Sequence, residues 1–405
     1  MTDVLTDQPR QLPFSLDLFD PSLDPVGPIA LPPQAYNSPE FHEFEQDAIW
    51  RKEWICIGRA ESIPNPGDYF TVSVLEEPLI VVRDDEGQIN AFSSVCRHRG
   101  MVIATDSGNC GKRFKCPYHW WSYGMKGELL GAPMMNKMPG YDKSELGLPN
   151  VQCDVWEGFI FINFDEDARP YSEVLEGLGS YLANYRLGEL KGGDQLTYDY
   201  EGFDWKVFWD NTFECYHCGR LHSDTYIDNF PVENQTQDSY QDPDNGVFTI
   251  AFRGKCKDAT ISTSGVASHP VIPSLSDEDR WHYRFALMAP SLLIGAQCDQ
   301  VHYVSWWPDG FQKLRIKVDW LYPQETLDSK DFAEHHASTR EAFKSVWAQD
   351  ELAWVNVARG LKSKWAPRGP YSAEELALIP GNQWIVDKYR AALGDKWIDG
   401  TPDYA

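Results

Sequence analysis

Residues 96–119 read Cys96-Arg97-His98-Arg99-Gly100-Met101-Val102-Ile103-Ala104-Thr105-Asp106-Ser107-Gly108-Asn109-Cys110-Gly111-Lys112-Arg113-Phe114-Lys115-Cys116-Pro117-Tyr118-His119. Two pieces carry the chemistry: Cys-x-His at 96–98 and Cys-x-x-His at 116–119, with 17 residues between them. In an extended segment side chains i and i+2 point to one side, so Cys96 and His98 can meet at one centre. Pro117 reverses the second piece and turns Cys116 and His119 inward. The flanking sequence has the texture of short strands and turns. Asn65-Pro66-Gly67-Asp68 precedes a strand at 69–74, Glu77-Pro78 one at 79–83, and Asp84-Asp85-Glu86-Gly87 one at 88–92. An apolar run at 158–164 closes the series. Residues 54–164 therefore read as a small all-β domain that offers four ligands on two loops.

A Cys2His2 set divided between two loops suits a Rieske-type [2Fe–2S] centre, in which two thiolates hold one iron and two imidazoles the other. Structural zinc is the rival reading, but zinc sites usually pair like ligands, Cys with Cys and His with His. Here each loop mixes one Cys with one His. Coincidental core residues are the third reading, and four soft ligands within 24 residues argue against it.

The rest of the chain mixes both kinds of element. Residues 1–37 are rich in Pro and Asp and read as an extended arm lying on another surface. Ser38-Pro39 then gives an N-cap with Pro at the first helical position, followed by Phe41, Phe44 and Ala48 on one helical face. Strands are expected at 247–253, 283–288, 301–307 and 314–320. In the last, Leu314, Ile316, Val318 and Trp320 alternate with Arg315, Lys317 and Asp319, as a half-buried antiparallel strand would. Helices are expected near 171–188, 205–220 and 328–362. The fold class is α+β, with an antiparallel sheet covered by helices after the β domain.

A second ligand set lies in the expected 205–220 helix: Asp210-Asn211-x-x-Glu214-Cys215-Tyr216-His217, then His222. Five residues along a regular helix rotate a side chain by about 140° relative to the first. Both imidazoles face one metal only if the helix is broken or bulged, and Gly219 lies between them. Two His and a carboxylate on one face, with open positions opposite, form the non-haem Fe(II) site of oxygenases. Surface or core histidines are the plain alternative for such a pair.

Together these motifs, with Trp120-Trp121-Ser122-Tyr123, Gly127 and Leu129, resemble those of the Rieske-type non-haem iron oxygenase α subunits, over about residues 38–365. The family usually has Gly after the second Rieske His and often Asp after Ser-Tyr; here these are Trp120 and Gly124. The resemblance implies an N-terminal arm and helix at 1–50, a Rieske domain at 51–168 and a catalytic domain at 169–405. It makes Cys96, His98, Cys116 and His119 the cluster ligands, and His217 and His222 ligands of a mononuclear iron. Gln349-Asp350, followed by Val357 and Gly360-Leu361, falls in the family's register and makes Asp350 the carboxylate ligand, with Glu351 the nearest rival. Val355 and Ala358 stand where the family has Glu and Gln. Asp210 and Asn211 belong to the catalytic motif. By the same analogy Glu214 links His217 to His119 of the next chain in a head-to-tail trimer.

Glu214 flanked by Cys215 and Cys218 is similar to the branch that oxidises choline, betaine and carnitine. Those two Cys are otherwise packing residues. A quaternary ammonium group binds aromatic faces by cation–π attraction, and Trp205, Trp209, Trp306, Trp307 and Trp354 are on offer. The same rings would line a pocket for a flat substrate, so an aromatic-ring hydroxylating dioxygenase is the alternative. A bare electron carrier or zinc-binding module needs only the β domain and leaves the second set without a purpose. The resemblance implies electrons from NAD(P)H through a separate reductase or ferredoxin, since the chain has no flavin or dinucleotide fingerprint.

Composition sets the outer bounds. The 405 residues carry 36 Lys+Arg against 61 Asp+Glu, a net charge of −25, which disfavours a phosphate backbone as partner. No apolar run spans a bilayer and the N-terminus lacks a signal-peptide pattern, so a cytoplasmic protein is expected. Nine Cys, an odd number, make no disulfide scaffold. Against the acidic whole, Arg97, Arg99, Lys112, Arg113, Lys115 and Lys126 form a basic island around the cluster loops, with only Asp106 and Glu128 opposing them between 93 and 128. Such an island would steer an acidic electron donor.

Overall fold

The computed structural model describes residues 9–19, 30–223, 229–236, 240–394 and 396–401. Much of the expected arm, residues 1–8 and 20–29, lies outside them. Arg10–Gln11 pairs in parallel with Trp397–Ile398, and Asp399 accepts from Ser15 Oγ (2.8 Å) and Leu16 N (2.7 Å).

The N-terminal β unit is a seven-stranded antiparallel sheet. Its order is Ile55–Arg59, Phe159–Asn163, Asn150–Trp156, Ile89–Ser93, Glu77–Arg83, Asp68–Val74, Gly108–Asn109. A small sheet of Phe114–Lys115, Ser122–Tyr123 and Leu129–Gly131 stands beside it. Two hairpins close with two-residue turns that need φ > 0 at both positions. Those residues are Glu157 (φ 47°) and Gly158 (81°) in one, Leu75 (54°) and Glu76 (64°) in the other. Non-glycine residues in that region are costly. Asp309 of the second sheet holds the latter turn, its Oδ1 accepting from Ser73 Oγ and Glu76 N, each at 2.9 Å.

The second sheet is antiparallel and runs Lys191–Gly192, Lys313–Tyr322, Val301–Pro308, Leu292–Ala296, His282–Met288, Val247–Arg253, Gln235–Thr236; Leu196–Glu201 also pairs with Lys313–Tyr322. Leu314, Ile316, Val318 and Trp320 are buried as the alternation predicts. The opposite face is not simply solvated. Lys317 donates to Ile57 O at 3.2 Å, and burial pushes its amine down to about 8. Asp319 is buried too, accepting from Asp194 N and Trp320 N. That polar face meets the first sheet: Cys56 N donates to Ser291 Oγ (2.8 Å), and Arg59 donates to Leu187 O and Leu190 O.

Helices cover the second sheet. Phe332–Leu361 is the long one and Leu378–Ala391, unforeseen, packs near the N-terminal helix. Ser38 caps Pro39–Glu45 through Phe41 N, as expected, and the chain continues in a widened turn to Trp50. The expected 171–188 helix is divided into Tyr171–Val174, Glu176–Tyr181 and single turns, interrupted at Arg186 (φ 50°). No helix among the described residues is long and apolar enough to cross a membrane.

One buried ion cluster anchors the Trp205–Phe213 helix. Lys206, fully buried, donates to Glu45 Oε1 (2.8 Å) and Oε2 (3.0 Å) and pairs with Asp204 Oδ1 (2.6 Å). Trp205 Nε1 and Tyr389 OH also donate to Glu45. The ammonium stands among the His42, Glu45 and Asp204 donors where a metal ion would otherwise fit. Removing one partner of such a cluster leaves uncompensated buried charge. Lys206→Met is accordingly expected to cost ~3–5 kcal/mol in urea unfolding at pH 7; a loss under about 1 kcal/mol would mean that the two carboxyls are already neutral.

Candidate metal centres

The two loops at 96 and 116 are the same turn made twice. In the first, Cys96 N bonds Met101 O (2.9 Å) and Gly100 N bonds Cys96 O (3.0 Å). In the second, Cys116 N bonds Trp121 O (2.8 Å) and Trp120 N bonds Cys116 O (3.1 Å). Each turn needs a left-handed residue four after the Cys: Gly100 at φ 71° and Trp120 at φ 63°. The family's usual Gly after the second His thus has a backbone reason, and Trp120 carries strain that a glycine would not.

The loops bring their four ligand candidates together in two layers. The Cys96 and Cys116 thiols are buried in one apolar cluster, while His98 and His119 are exposed with Nδ1 facing Nδ1 at 3.1 Å. Trp121 stacks on His98 at 4.9 Å. Burial, the His119 ring and the Arg99 guanidinium keep His98 below its usual pKa. Burial pushes the Cys116 thiol up. Two sulfurs inside and two imidazoles outside fit a [2Fe–2S] cluster with one iron on each pair. Tyr123 OH lies 3.3 Å from Cys96 Sγ and accepts from Arg97 N at 3.1 Å.

The second set is built where the helix fails. Trp205–Phe213 ends at Glu214, which is extended (φ −125°, ψ 156°), and a one-turn helix, Cys218–Leu221, follows. The expected break at Gly219 therefore lies earlier: Gly219 is helical, and His217 and His222 flank that single turn. Their rings stand 5.1 Å apart. Asp350, from the long helix, completes the set, with Oδ1 3.5 Å from His217 Nε2 and 3.1 Å from His222 Nε2. One ligand atom from each of the three lies within 4.8 Å of the others. That donor set fits a facial iron site.

The surrounding groups fix the imidazoles. Glu214 Oε1 accepts from His217 Nδ1 at 2.5 Å, leaving Nε2 toward Asp350; Glu214 Oε2 caps the backbone N–H of Tyr216 and His217. Gln349 Oε1 accepts from His222 Nδ1 at 2.8 Å. Burial opposes charge on His222, but Asp350 and Gln349 hold its pKa above the usual value. Asn211 Nδ2 lies 3.4 Å from both His217 Nε2 and Asp350 Oδ1. Asp210 turns elsewhere: Tyr36 OH donates to its Oδ2 at 2.6 Å, and burial pushes the carboxyl up to about 7. Gln349 was quoted in sequence only to set the register of Asp350; its orienting role needs the tertiary fold.

The five tryptophans offered for a substrate pocket are core instead. Each is at most 2% exposed, with Trp205 on Trp209 and Phe208 against both Trp306 and Trp354. The rings clustered with Cys215 and Cys218 are Phe230, from the loop that follows, and Phe252, Tyr283 and Phe285, from strands farther along the chain.

Comparison with known proteins follows this geometry. A family model described as Rieske [2Fe-2S] domain matches residues 53–142, and one described as ring hydroxylating alpha subunit (catalytic domain) matches residues 187–391. The chain is 34% identical over 401 residues to the glycine betaine monooxygenase oxygenase subunit of Chromohalobacter salexigens, covering 91% of this chain and 87% of the other. It is 31% identical over 335 residues to the carnitine monooxygenase oxygenase subunit of Acinetobacter baumannii, covering 81% and 84%. A solved quaternary ammonium Rieske monooxygenase superposes with TM-score 0.78 at 22% identity, covering 94% and 99%. Naphthalene 1,2-dioxygenase from Rhodococcus superposes at 0.70 and 20% identity, covering 89% and 93%, a likeness of fold.

A hydrogen bond donated to a cluster sulfur favours the more negative, reduced cluster and raises its potential. Tyr123→Phe removes that donor and is expected to lower the cluster potential by tens of millivolts in a spectroscopic redox titration, with the visible spectrum retained. An unchanged potential would show that Tyr123 serves only the backbone of Arg97.

Proposed function

The chain belongs to the Rieske non-haem iron oxygenases as an oxygenase α subunit, and from that premise we propose that it hydroxylates a C–H bond next to the nitrogen of a small quaternary ammonium substrate. The observation that carries this reading is the likeness to betaine and carnitine monooxygenase oxygenase subunits, 34% identical over 401 residues and 31% over 335. Aromatic faces attract a quaternary ammonium, by ~2 kcal/mol or more where water is excluded. Phe230, Phe252 and Tyr283 pack beside the His217-bearing turn as the core there.

When bound, the [2Fe–2S] cluster supplies single electrons and the mononuclear iron activates O2 beside the substrate. His217 and His222, each through Nε2, and Asp350, through Oδ1, would hold that iron. Glu214 and Gln349 occupy the Nδ1 side of the two imidazoles, which fixes their tautomers and ring planes. Asn211 rests against both His217 and Asp350. An N-methyl substrate takes one oxygen atom from O2, with two electrons and two protons, to give N–CH2OH and water. The carbinolamine then loses a proton and its C–N bond breaks, which releases an aldehyde and a tertiary amine.

Electrons come from NAD(P)H through a separate reductase. A head-to-tail homotrimer, each cluster serving the next subunit's iron, gives the electron its path, and a heterologous threefold contact closes a ring. Two exposed faces suit it: Met101, Tyr118 and Trp120 at the cluster, and Tyr216, Leu352 and Val355 near the iron ligands. Glu214 is the link between His217 and the neighbour's His119 in this arrangement.

The basic island is narrower in space than in sequence. Lys112 pairs with Asp85 and Lys126 with Glu86, whereas Lys115 lies 3.8 Å over Trp120 and Arg99 5.7 Å over Tyr118. Charge reversal at Arg99, Arg113 and Lys115 is expected to slow cluster reduction by the reductase about tenfold at low salt and to flatten its salt dependence; an unchanged rate would exclude steering by this face. The function itself is tested in a single turnover of dithionite-reduced protein with O2 and a mixture of betaines and aromatic acids. An aldehyde with a demethylated or cleaved amine is expected; a cis-diol or phenol would make the protein a ring hydroxylase instead.

A further inference from the structure

Two thiols beside the mononuclear site have no part in the chemistry above. Cys215-Tyr216-His217-Cys218 is a Cys-x-x-Cys pair with the ligand candidate His217 inside it. Cys218 N donates to Cys215 O at 3.1 Å, which closes the segment into a turn. Residues i and i+3 of a turn have Cα atoms under ~7 Å apart, and disulfides form at ~4.4–6.8 Å. Both thiols are free and pack into the same apolar cluster. Cys218 Sγ lies 3.9 Å from His217 Nε2, the nitrogen that faces Asp350.

We propose that Cys215 and Cys218 are a redox modification site: hydrogen peroxide joins them in a disulfide that locks the turn carrying His217 and releases the mononuclear iron. The proposal rests on reading His217, His222 and Asp350 as the iron site. Its oxidant is close at hand, because an oxygenase that passes two electrons and two protons to O2 without hydroxylating substrate yields hydrogen peroxide. Cys215, the less buried thiol, attacks one peroxide oxygen; the O–O bond breaks, giving a sulfenic acid and one water. The Cys218 sulfur then displaces the sulfenic oxygen, which leaves as a second water. Two thiols lose two electrons and two protons, and one peroxide becomes two waters.

The new bond closes a ring through the backbone of Tyr216 and His217. His217 must keep its present direction to face Asp350 with Nε2 while Glu214 holds Nδ1. A ring that redirects the imidazole breaks both contacts, and reduction of the disulfide restores them.

The test uses the iron-loaded protein treated with one equivalent of hydrogen peroxide, then alkylated, digested and weighed. The peptide holding 215–218 is expected to appear about 2 Da lighter and unalkylated, in step with the loss of protein-bound iron. Turnover is expected to fall about tenfold or more. Dithiothreitol with added Fe(II) should return both thiols and the iron. In Cys218→Ala, and independently in Cys215→Ser, peroxide damage should lose its thiol-reversible part. Iron lost while both thiols remain alkylatable would overturn the proposal, as would a disulfide formed with iron fully retained. A protein that never binds iron in proportion to His217 and His222 would instead sink the site reading, and the peptide masses would still report the disulfide.

Discussion

The carboxylate of Glu214 holds His217 Nδ1 at 2.5 Å, and the arrangement of the second unit turns on that contact. It requires Glu214 to leave the helix extended, so that one oxygen reaches the imidazole while the other caps the next turn. The break it imposes puts His217 and His222 at either end of a single helical turn, a geometry no continuous helix offers. The helix entering the break is pinned at its start by Lys206, Glu45 and Asp204, so the position of Glu214 is set by a buried ion cluster a few turns away. Asp350 arrives on the long helix, whose neighbouring Gln349 fixes the second imidazole. Both imidazoles thus have their orientation decided by a residue adjacent to a candidate ligand or one turn from it.

The two-layer build of the cluster loops follows from desolvation. Thiolates bound to iron gain from a dry surrounding with a few directed donors, and Cys96 and Cys116 have it. Imidazoles tolerate water, and electron exchange with a partner requires an exposed edge, which His98 and His119 provide. The repeated turn explains why the loops look alike although one reads Cys-x-His and the other Cys-x-x-His. The extra residue shifts the His by one, yet the left-handed position stays four after the Cys in both. Trp120 accepts an unfavourable backbone there and spreads a large ring over solvent, under Lys115. A strained and exposed aromatic is costly to a monomer, and its place beside the cluster makes sense if another protein surface covers it.

The local parts of this design were legible in the sequence. Cys96, His98, Cys116 and His119 needed only spacing and a turn residue, and His217 with His222 announced a helix break through their separation. The alternating 313–322 strand was plain, but the cover on its polar face was not, because Lys317 and Asp319 meet residues more than 100 positions away. Leu292–Ala296 carries no alternation to find, being buried on both faces. Asp350 could not be chosen among 61 acids without the resemblance. Asp210, taken with Asn211 as part of the resembled catalytic motif, bonds Tyr36 instead. A one-residue step rotates a side chain by about 100°, so neighbours in a helical motif seldom share a site.

Substrate recognition is the least local part and was read least well. Tryptophan counts drew attention to Trp205, Trp209, Trp306, Trp307 and Trp354, but large rings at regular spacing in helices and strands serve the core first. The rings next to the iron ligands come from segments around 230, 252 and 283–285, brought to the turn of His217 by the pairing of Val247–Arg253 with His282–Met288. Phe252 and Tyr283 are directly opposite in that ladder. Their joint presence beside Cys215 depends on strand register, and a register slip by one residue would send every ring to the other face. The Cys/His and His/His motifs sit on short loops and turns and read as strings, whereas the aromatic cluster beside His217 is assembled from single positions on several segments. Substitutions in that cluster leave the motifs untouched, which is why the motifs stood out in the sequence and the cluster did not.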